Sequence, residues 1–237
     1  MKETIMGVQV TTLGYESLIN AVLTDINNKK KSNIVAINPE KIILANQSED
    51  LKSLLNRASY QIPDGNGVVL ASKYKKGLIR ERVTGVDLFL RLCKMAEEHN
   101  KKVFLYGGKP GVAENASLKL KTSYPKLDIA GVMDGYEKDE DFIKNTINES
   151  KADIIFVALG SPRQEIWIEK HMNELHPFIY QGVGGSFDVL SGNIKRAPRF
   201  FQAIGLEWFY RLMKEPWRYK RILNVFKFGL KVLTSKS

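Results

Sequence analysis

The 237-residue chain is predicted to be an α/β protein: a mostly parallel sheet flanked by helices, with a C-terminal helical appendage that is basic and aromatic. Three observations predict it. Short runs rich in β-branched and aromatic residues alternate with stretches of helical spacing, the pattern of βαβ units. Several of these runs end in a glycine turn that opens the next helix. The charge is also unevenly divided, since residues 195–237 hold 11 Lys and Arg against two acids, a net +9, while the remainder carries only +1. The expected organisation is a body over 1–194 and an appendage over 195–237, with no internal repeat or low-complexity linker.

Taken along the chain, NIVAI (33–37) reads as a strand leading into Asn38-Pro39-Glu40 and a helical pattern through Leu55. YQIPDGNGVVLA (60–71) contains Pro-Asp-Gly, a common turn signal, so Asp64 is either a turn residue or a carboxylate placed to accept a proton. Residues 86–100 have helical spacing, with Leu88, Leu92 and Met95 on one face. KVFLYGG (102–108) is a buried strand and glycine turn, followed by the helix of PGVAENASLKLKTSYP. LDIAGV (127–132) is a short strand before DGYEKDEDFIKNTINES, whose acids begin a helix. DIIFVALGSP (153–162) is the clearest buried strand, with a helix beginning near Arg163. FIYQGVGGSFDVL (178–190) is again strand, glycine turn and helix start.

In such folds, ligands bind beyond the carboxyl ends of the strands, where helix N-termini and glycine turns present backbone N–H groups. YGGKPG, ALGSPRQE and GVGGSFD are three turns of that kind. None is a G-x-G-x-x-G fingerprint or a Walker loop. Singly, each reads equally well as helix-packing glycine. Three at one edge favour a phosphorylated ligand such as a nucleotide.

Other chemistry is excluded by pattern. The single cysteine, Cys93, rules out an intramolecular disulfide and suits a reducing compartment. MKETIMGVQVTTLG lacks the apolar core of a cleavable signal, and no stretch approaches the roughly 18 apolar residues of a membrane span. The expected location is the cytoplasm, peripherally attached to the inner face of the cell membrane. His99, His171 and His176 lack metal-ligand spacing and read as surface or helix-end residues. No G-x-S-x-G elbow is present. Asp139-Glu140-Asp141 resembles a metal-holding D-x-D but opens a helix, where acids act as caps. No metal and no cofactor are expected.

Five polar residues remain at loop edges: Asn38, Asp64, Arg82, Gln164 and Asp188. They read as caps and turn locks. They are also the kit of a metal-free glycosyl or phosphoryl transferase, which needs a carboxylate for the hydroxyl proton, cations or N–H groups for a leaving diphosphate, and amides to fix the sugar.

Residues 195–237 hold nine of the 23 aromatics. From Trp217 onward, Lys220, Asn224, Lys227 and Lys231 fall on one helical face, and Ile222, Leu223, Phe226, Leu230 and Leu233 on the other. A basic amphipathic helix of this kind suits an anionic membrane surface. Single-stranded nucleic acid and plain packing on the body are the competing readings. A homo-oligomer could also shelter the aromatic segment. Truncation near Lys195 is expected to leave the body folded.

These blocks, taken in order, resemble the WecG/TagA/CpsF glycosyltransferases, and most closely the branch that makes teichoic-acid linkage units. The resemblance runs from about residue 8 to about residue 225. It is carried by NPEKI (38–42), PDGNGVV (63–69), RVTGVDL (82–88), FLYGGKPGVAE (104–114), DGY (134–136), ALGSPRQEIWI (158–168), GVGGSFDVLSGNIKRAP (182–198) and LEWFYRL (206–212). It implies a Rossmann-like, inverting, metal-independent enzyme. Such an enzyme moves N-acetylmannosamine from its UDP donor to the 4-hydroxyl of GlcNAc on undecaprenyl diphosphate; relatives also use its uronic acid or glucose. By motif position, Asp64 is the general base, Asn38 and Gln164 hold donor or acceptor, and Arg82 stabilises the diphosphate. Gly108, Tyr136, Gly184, Gly185 and Asp188 belong to the UDP-sugar site. Arg211, Arg218 and Arg221 are candidates for the acceptor diphosphate, and nucleic acid is not an expected partner. Two positions depart from the family pattern: Ala36, where relatives commonly carry Thr, and Asn66, where the residue is often aliphatic.

Overall fold

Ile34 and Val35 are neighbours on one strand, yet they enter different cores on opposite faces of a sheet. Ile154 and Ile155 divide in the same way. Continuous apolar runs such as IIFVA are therefore buried on both faces, as a parallel sheet covered by helices requires. The computed structural model describes residues 1–194, 197, 198, 201, 210, 213 and 219–234, leaving out the side chains of 219–222.

A small antiparallel hairpin, β1 (Lys2–Ile5) and β2 (Val8–Thr11), opens the chain. The main sheet has six parallel strands: β3 (Ser32–Ile37), β4 (Tyr60–Pro63), β5 (Lys102–Gly107), β6 (Asp128–Met133), β7 (Ile154–Ala158) and β8 (Ile179–Gly182). Their spatial order is β4-β3-β8-β7-β5-β6. One face is covered by α1 (Tyr15–Asn27), α5 (Gly85–Glu98) and α6 (Val112–Ser123), whose Leu18, Leu92 and Leu120 share a core with Ile34 and Phe156. The other face has two cores. Val35 and Ile37 pack with α2 (Pro39–Ala45), α3 (Glu49–Arg57), α4 (Asn66–Tyr74) and the hairpin. Ile155 and Val157 pack with α7 (Glu140–Ser150) and α8 (Arg163–His171). The expected α/β architecture is the observed one.

Three local expectations change. The single helical pattern through Leu55 is two helices, because Asn46 closes α2 and Ser48 opens α3 by accepting the Leu51 N–H at 3.2 Å. His171 ends α8 as expected but is not at the surface; it is 2% exposed against Trp167, and burial pushes its pKa below the ordinary value. The tail helix α10 (Tyr219–Thr234) has three faces rather than two. Phe228 and Val232 are buried in the core shared with α2 and α4. Leu223, Phe226, Leu230 and Leu233, spaced for one stripe, are each more than half exposed. Lys227 and Lys231 flank that stripe. Among the described residues, no helix is long and apolar enough to cross a membrane.

Candidate active site

The carboxyl edge of the sheet collects the sequence-selected residues in strand order. Asp64 follows β4, Asn38 follows β3, Gly184 and Gly185 follow β8, Gln164 lies beyond β7, Gly108 follows β5 and Tyr136 lies beyond β6. The first two are held side by side by register, since Ile37 and Pro63 are partners and the Asp64 N–H donates to the Ile37 carbonyl at 2.8 Å.

Asn38 caps α2: its Oδ1 accepts the Lys41 N–H at 2.8 Å, and Pro39 takes the first helical position, where no N–H is needed. Asp64 is half-buried in a turn that continues through Gly65, which has φ +128°. Its Oδ2 faces the N–H of Gly85 at 3.5 Å. The Val83 N–H donates to the Pro63 carbonyl at 3.1 Å, so Arg82 is tied to the same strand end as Asp64. Ala36 also borders this place: a Cβ on Gly85 would lie 3.8 Å from the Ala36 Cβ and 3.7 Å from Asp64 Oδ2. Asn66 is the first residue of α4.

Behind Asp64 stands a polar cluster that composition did not reveal. The Tyr15 hydroxyl accepts the Thr84 N–H at 2.8 Å, and the Thr84 hydroxyl donates to Asp87 Oδ2 at 2.7 Å. Burial, with the nearby Asp87 and Asp64 charges, raises the Tyr15 phenol above its ordinary pKa. From β8, buried Gln181 donates to the Gly85 carbonyl at 2.9 Å and so holds the residue whose N–H faces Asp64. The signal for Gln181 was a lone amide within an apolar strand.

At β5 the backbone itself forms the wall. Gly107 has φ +118°, and a Cβ there would meet the Ala158 backbone at 2.6 Å, so only glycine fits. The Gly108 N–H donates to the Ala158 carbonyl at 3.0 Å, and the Gly108 carbonyl accepts the Gly135 N–H at 2.9 Å. That bond brings the DGY turn beside the Gly-Gly turn, with the Tyr136 side 62% exposed. Asp139 is a cap, accepting the N–H groups of Asp141 and Phe142 at 3.0 Å each.

Gln164 crosses from α8 to β8. Its Oε1 accepts the Gly184 N–H at 3.0 Å, and a Cβ on Gly182 would fall 2.5 Å from its Nε2. Its neighbour Glu165 forms a buried ion pair with Lys41 at 2.7 Å. Burial pushes the Glu165 carboxyl up, but the Lys41 charge and hydrogen bonds outweigh it and leave the pKa below the ordinary value. Asp188, half-buried in α9 (Ser186–Leu190), stands near Gly185, whose Cβ would lie 3.9 Å from Asp188 Oδ2. Arg211 and Arg218 lie outside the described residues; Arg221 is in α10, its side chain likewise outside.

The model of the Glycosyl transferase WecG/TagA/CpsF family matches residues 3–237. The chain belongs to that family. Within it, the N-acetylglucosaminyldiphosphoundecaprenol N-acetyl-beta-D-mannosaminyltransferase of Bacillus subtilis (strain 168) is 39% identical over 208 residues, covering 88% of this chain and 81% of that one. The protein of the same name from Bacillus spizizenii (strain ATCC 23059 / NRRL B-14472 / W23) is 40% identical over 210 residues, covering 89% and 82%. The WecG/TagA/CpsF match spans both the strand-end residues and the α10 segment docked on α2 and α4.

Proposed function

We propose that this glycosyltransferase transfers N-acetylmannosamine from UDP-N-acetylmannosamine to the 4-hydroxyl of GlcNAc on undecaprenyl diphosphate, inverting the anomeric centre. The observation that carries the reading is the ordered row of strand ends, with a carboxylate at one end and glycine turns beside an exposed tyrosine at the other. Strands lie about 4.8 Å apart, so four intervals separate β4 from β5 by about 19 Å, room for an extended nucleotide sugar. In this reading Tyr136 and Asp188 meet the uridine, and the Gly108, Gly184 and Gly185 turns meet the diphosphate. Asn38 and Gln164 meet the sugar, and Arg82 offsets the developing charge of UDP without a metal ion.

The step itself is a displacement. The acceptor oxygen attacks the anomeric carbon from the face opposite UDP, and the bond from that carbon to the phosphate oxygen breaks. The hydroxyl proton passes to Asp64, a carboxylate ionised at neutral pH. UDP leaves with the bonding electron pair. Residues 195–237 serve as an appendage that meets an anionic bilayer through the stripe and lysines of α10, with Arg211, Arg218 and Arg221 directed to the acceptor's diphosphate.

The test is product formation from a short-chain lipid-diphosphate-GlcNAc acceptor and each of UDP-N-acetylmannosamine, its uronic acid and UDP-glucose, with and without EDTA. Transfer of N-acetylmannosamine that survives EDTA is the expected result. Preference for another sugar overturns the donor assignment, and loss with EDTA overturns the metal-free step.

A further inference from the structure

Lys41 and Glu165 are 7% and 3% exposed, respectively. A buried ion pair is a poor source of stability, since removing two charges from water offsets most of their attraction. Its placement suggests another use. Glu165 Oε1 accepts both from Lys41 Nζ at 2.7 Å and from Gln164 Nε2 at 3.2 Å, and Gln164 Oε1 accepts the Gly184 N–H at 3.0 Å. Lys41 also gives its backbone N–H to Asn38. One connected chain of bonds therefore runs from the β3 turn, through α8, to the β8 turn.

We infer that Lys41 and Glu165 are a positioning pair that fixes the flip state of the Gln164 amide, so that Gln164 presents an N–H to the substrate. A carboxylate can only accept and a backbone N–H can only donate. The reversed amide would set oxygen against the Glu165 carboxylate and NH2 against the Gly184 N–H, two repulsions in place of two bonds. With the observed orientation, one Nε2 hydrogen goes to Glu165, and the other, which meets no acceptor among the described residues, is the one assigned to a ligand oxygen. Lys41 balances the carboxylate, and its own position is held by the Asn38 turn. The identity of that ligand oxygen as a sugar oxygen rests on the reading under Proposed function; the clamp does not.

The test compares Lys41→Met, Glu165→Gln and the double variant Lys41→Met/Glu165→Leu in the full chain. Readouts are Tm, kcat and KM for the sugar nucleotide, and exchange of the Gln164 side-chain amide protons by NMR, identified through Gln164→Leu. Lys41→Met should lower Tm by stranding a buried charge. The double variant should recover Tm, yet its kcat/KM should stay reduced by about 100-fold, the scale of a group misplaced by an ångström. Its Gln164 amide protons should exchange faster than in the parent protein. Recovery of both Tm and kcat/KM in the double variant would make the pair merely structural and overturn the inference, as would unchanged amide exchange. Slow exchange in the parent and fast exchange in the double variant, without any UDP-sugar turnover by the parent, would uphold the clamp and overturn the proposed function instead.

Discussion

Asp64 Oδ2 faces the backbone N–H of Gly85, the first residue of the 14-residue helix α5, at 3.5 Å. The partial positive charge of a helix N-terminus favours an anion, which suits a carboxylate at this position. Asp64→Asn keeps the shape and loses the basicity. It is expected to bind UDP as the parent does and to turn over at least about 100-fold more slowly. Turnover near the parent rate would remove Asp64 from the role of base.

Gly67 is the second residue of α4, the helix that follows the Asp64 turn. A Cβ there would lie 2.7 Å from Pro39 Cγ and 3.8 Å from Phe228 Cε1. Gly67→Ala should push the Asp64 turn away from the Asn38 cap, costing about 1–3 kcal/mol of stability, the usual range for overpacking. Chemical denaturation gives the first quantity and kcat the second; both should fall.

Tyr136 is 62% exposed beside the glycine turns. Stacking of a base on an aromatic ring contributes about 1–3 kcal/mol. Calorimetry should therefore find UDP bound more weakly by that amount in Tyr136→Ala and nearly unchanged in Tyr136→Phe, which keeps the ring. Equal losses in both variants would point to the hydroxyl instead.

Asp25 lies far from the site and tests the body alone. Its carboxylate accepts from the Tyr60 hydroxyl at 2.6 Å, the Ser32 hydroxyl at 2.7 Å and Lys30 Nζ at 3.1 Å. Burial pushes its pKa up, but these bonds together carry it below the ordinary value. A depressed carboxyl pKa stabilises the fold above the unfolded-state value of about 3.9, and that contribution disappears as pH falls through the folded-state value. Asp25→Asn should lower stability at pH 7 by about 1–3 kcal/mol, with the gap to the parent closing below about pH 4. A gap that stayed constant with pH would exclude the charge as its source.

The outer stripe of α10 separates docking to the bilayer from folding. Phe226→Ser/Leu230→Ser removes two exposed residues and should leave Tm unchanged while reducing sedimentation with anionic vesicles. Lys227→Glu/Lys231→Glu should weaken vesicle binding by about 1 kcal/mol or more per residue, and less at high salt. Full binding by both variants would remove α10 from that role. Truncation near Lys195 is the poorer experiment, because it also deletes Phe228 and Val232 from the core that holds α2 and α4.

The sequence made the sheet legible where burial on both faces leaves a continuous apolar run, as in KVFLYG and IIFVA. It hid the hairpin, whose strands are only four residues each, and the break at Asn46–Ser48, where the apolar spacing continues across two caps. Asn38, Asp64 and Gln164 were legible because each follows a strand. Lys41 and Glu165 were not, since each reads locally as a solvated helix charge and their pairing spans 124 residues. The tail's periodicity revealed its amphipathic character but not which side docks. Val225, Phe228 and Val232 form a second apolar line at i, i+3 and i+7, and only the surface of α2 and α4 selects it over the outer stripe.

Phe228 sits against Gly67 at the start of α4, the helix that follows Asp64, while the α10 stripe faces outward. A bilayer gripping that stripe would hold the proposed active edge at a fixed height above the headgroups. The lipid-linked acceptor would then arrive by lateral diffusion in two dimensions, and the nucleotide sugar from solution in three. Turnover at a vesicle surface should accordingly follow the acceptor's density per unit area rather than its bulk concentration.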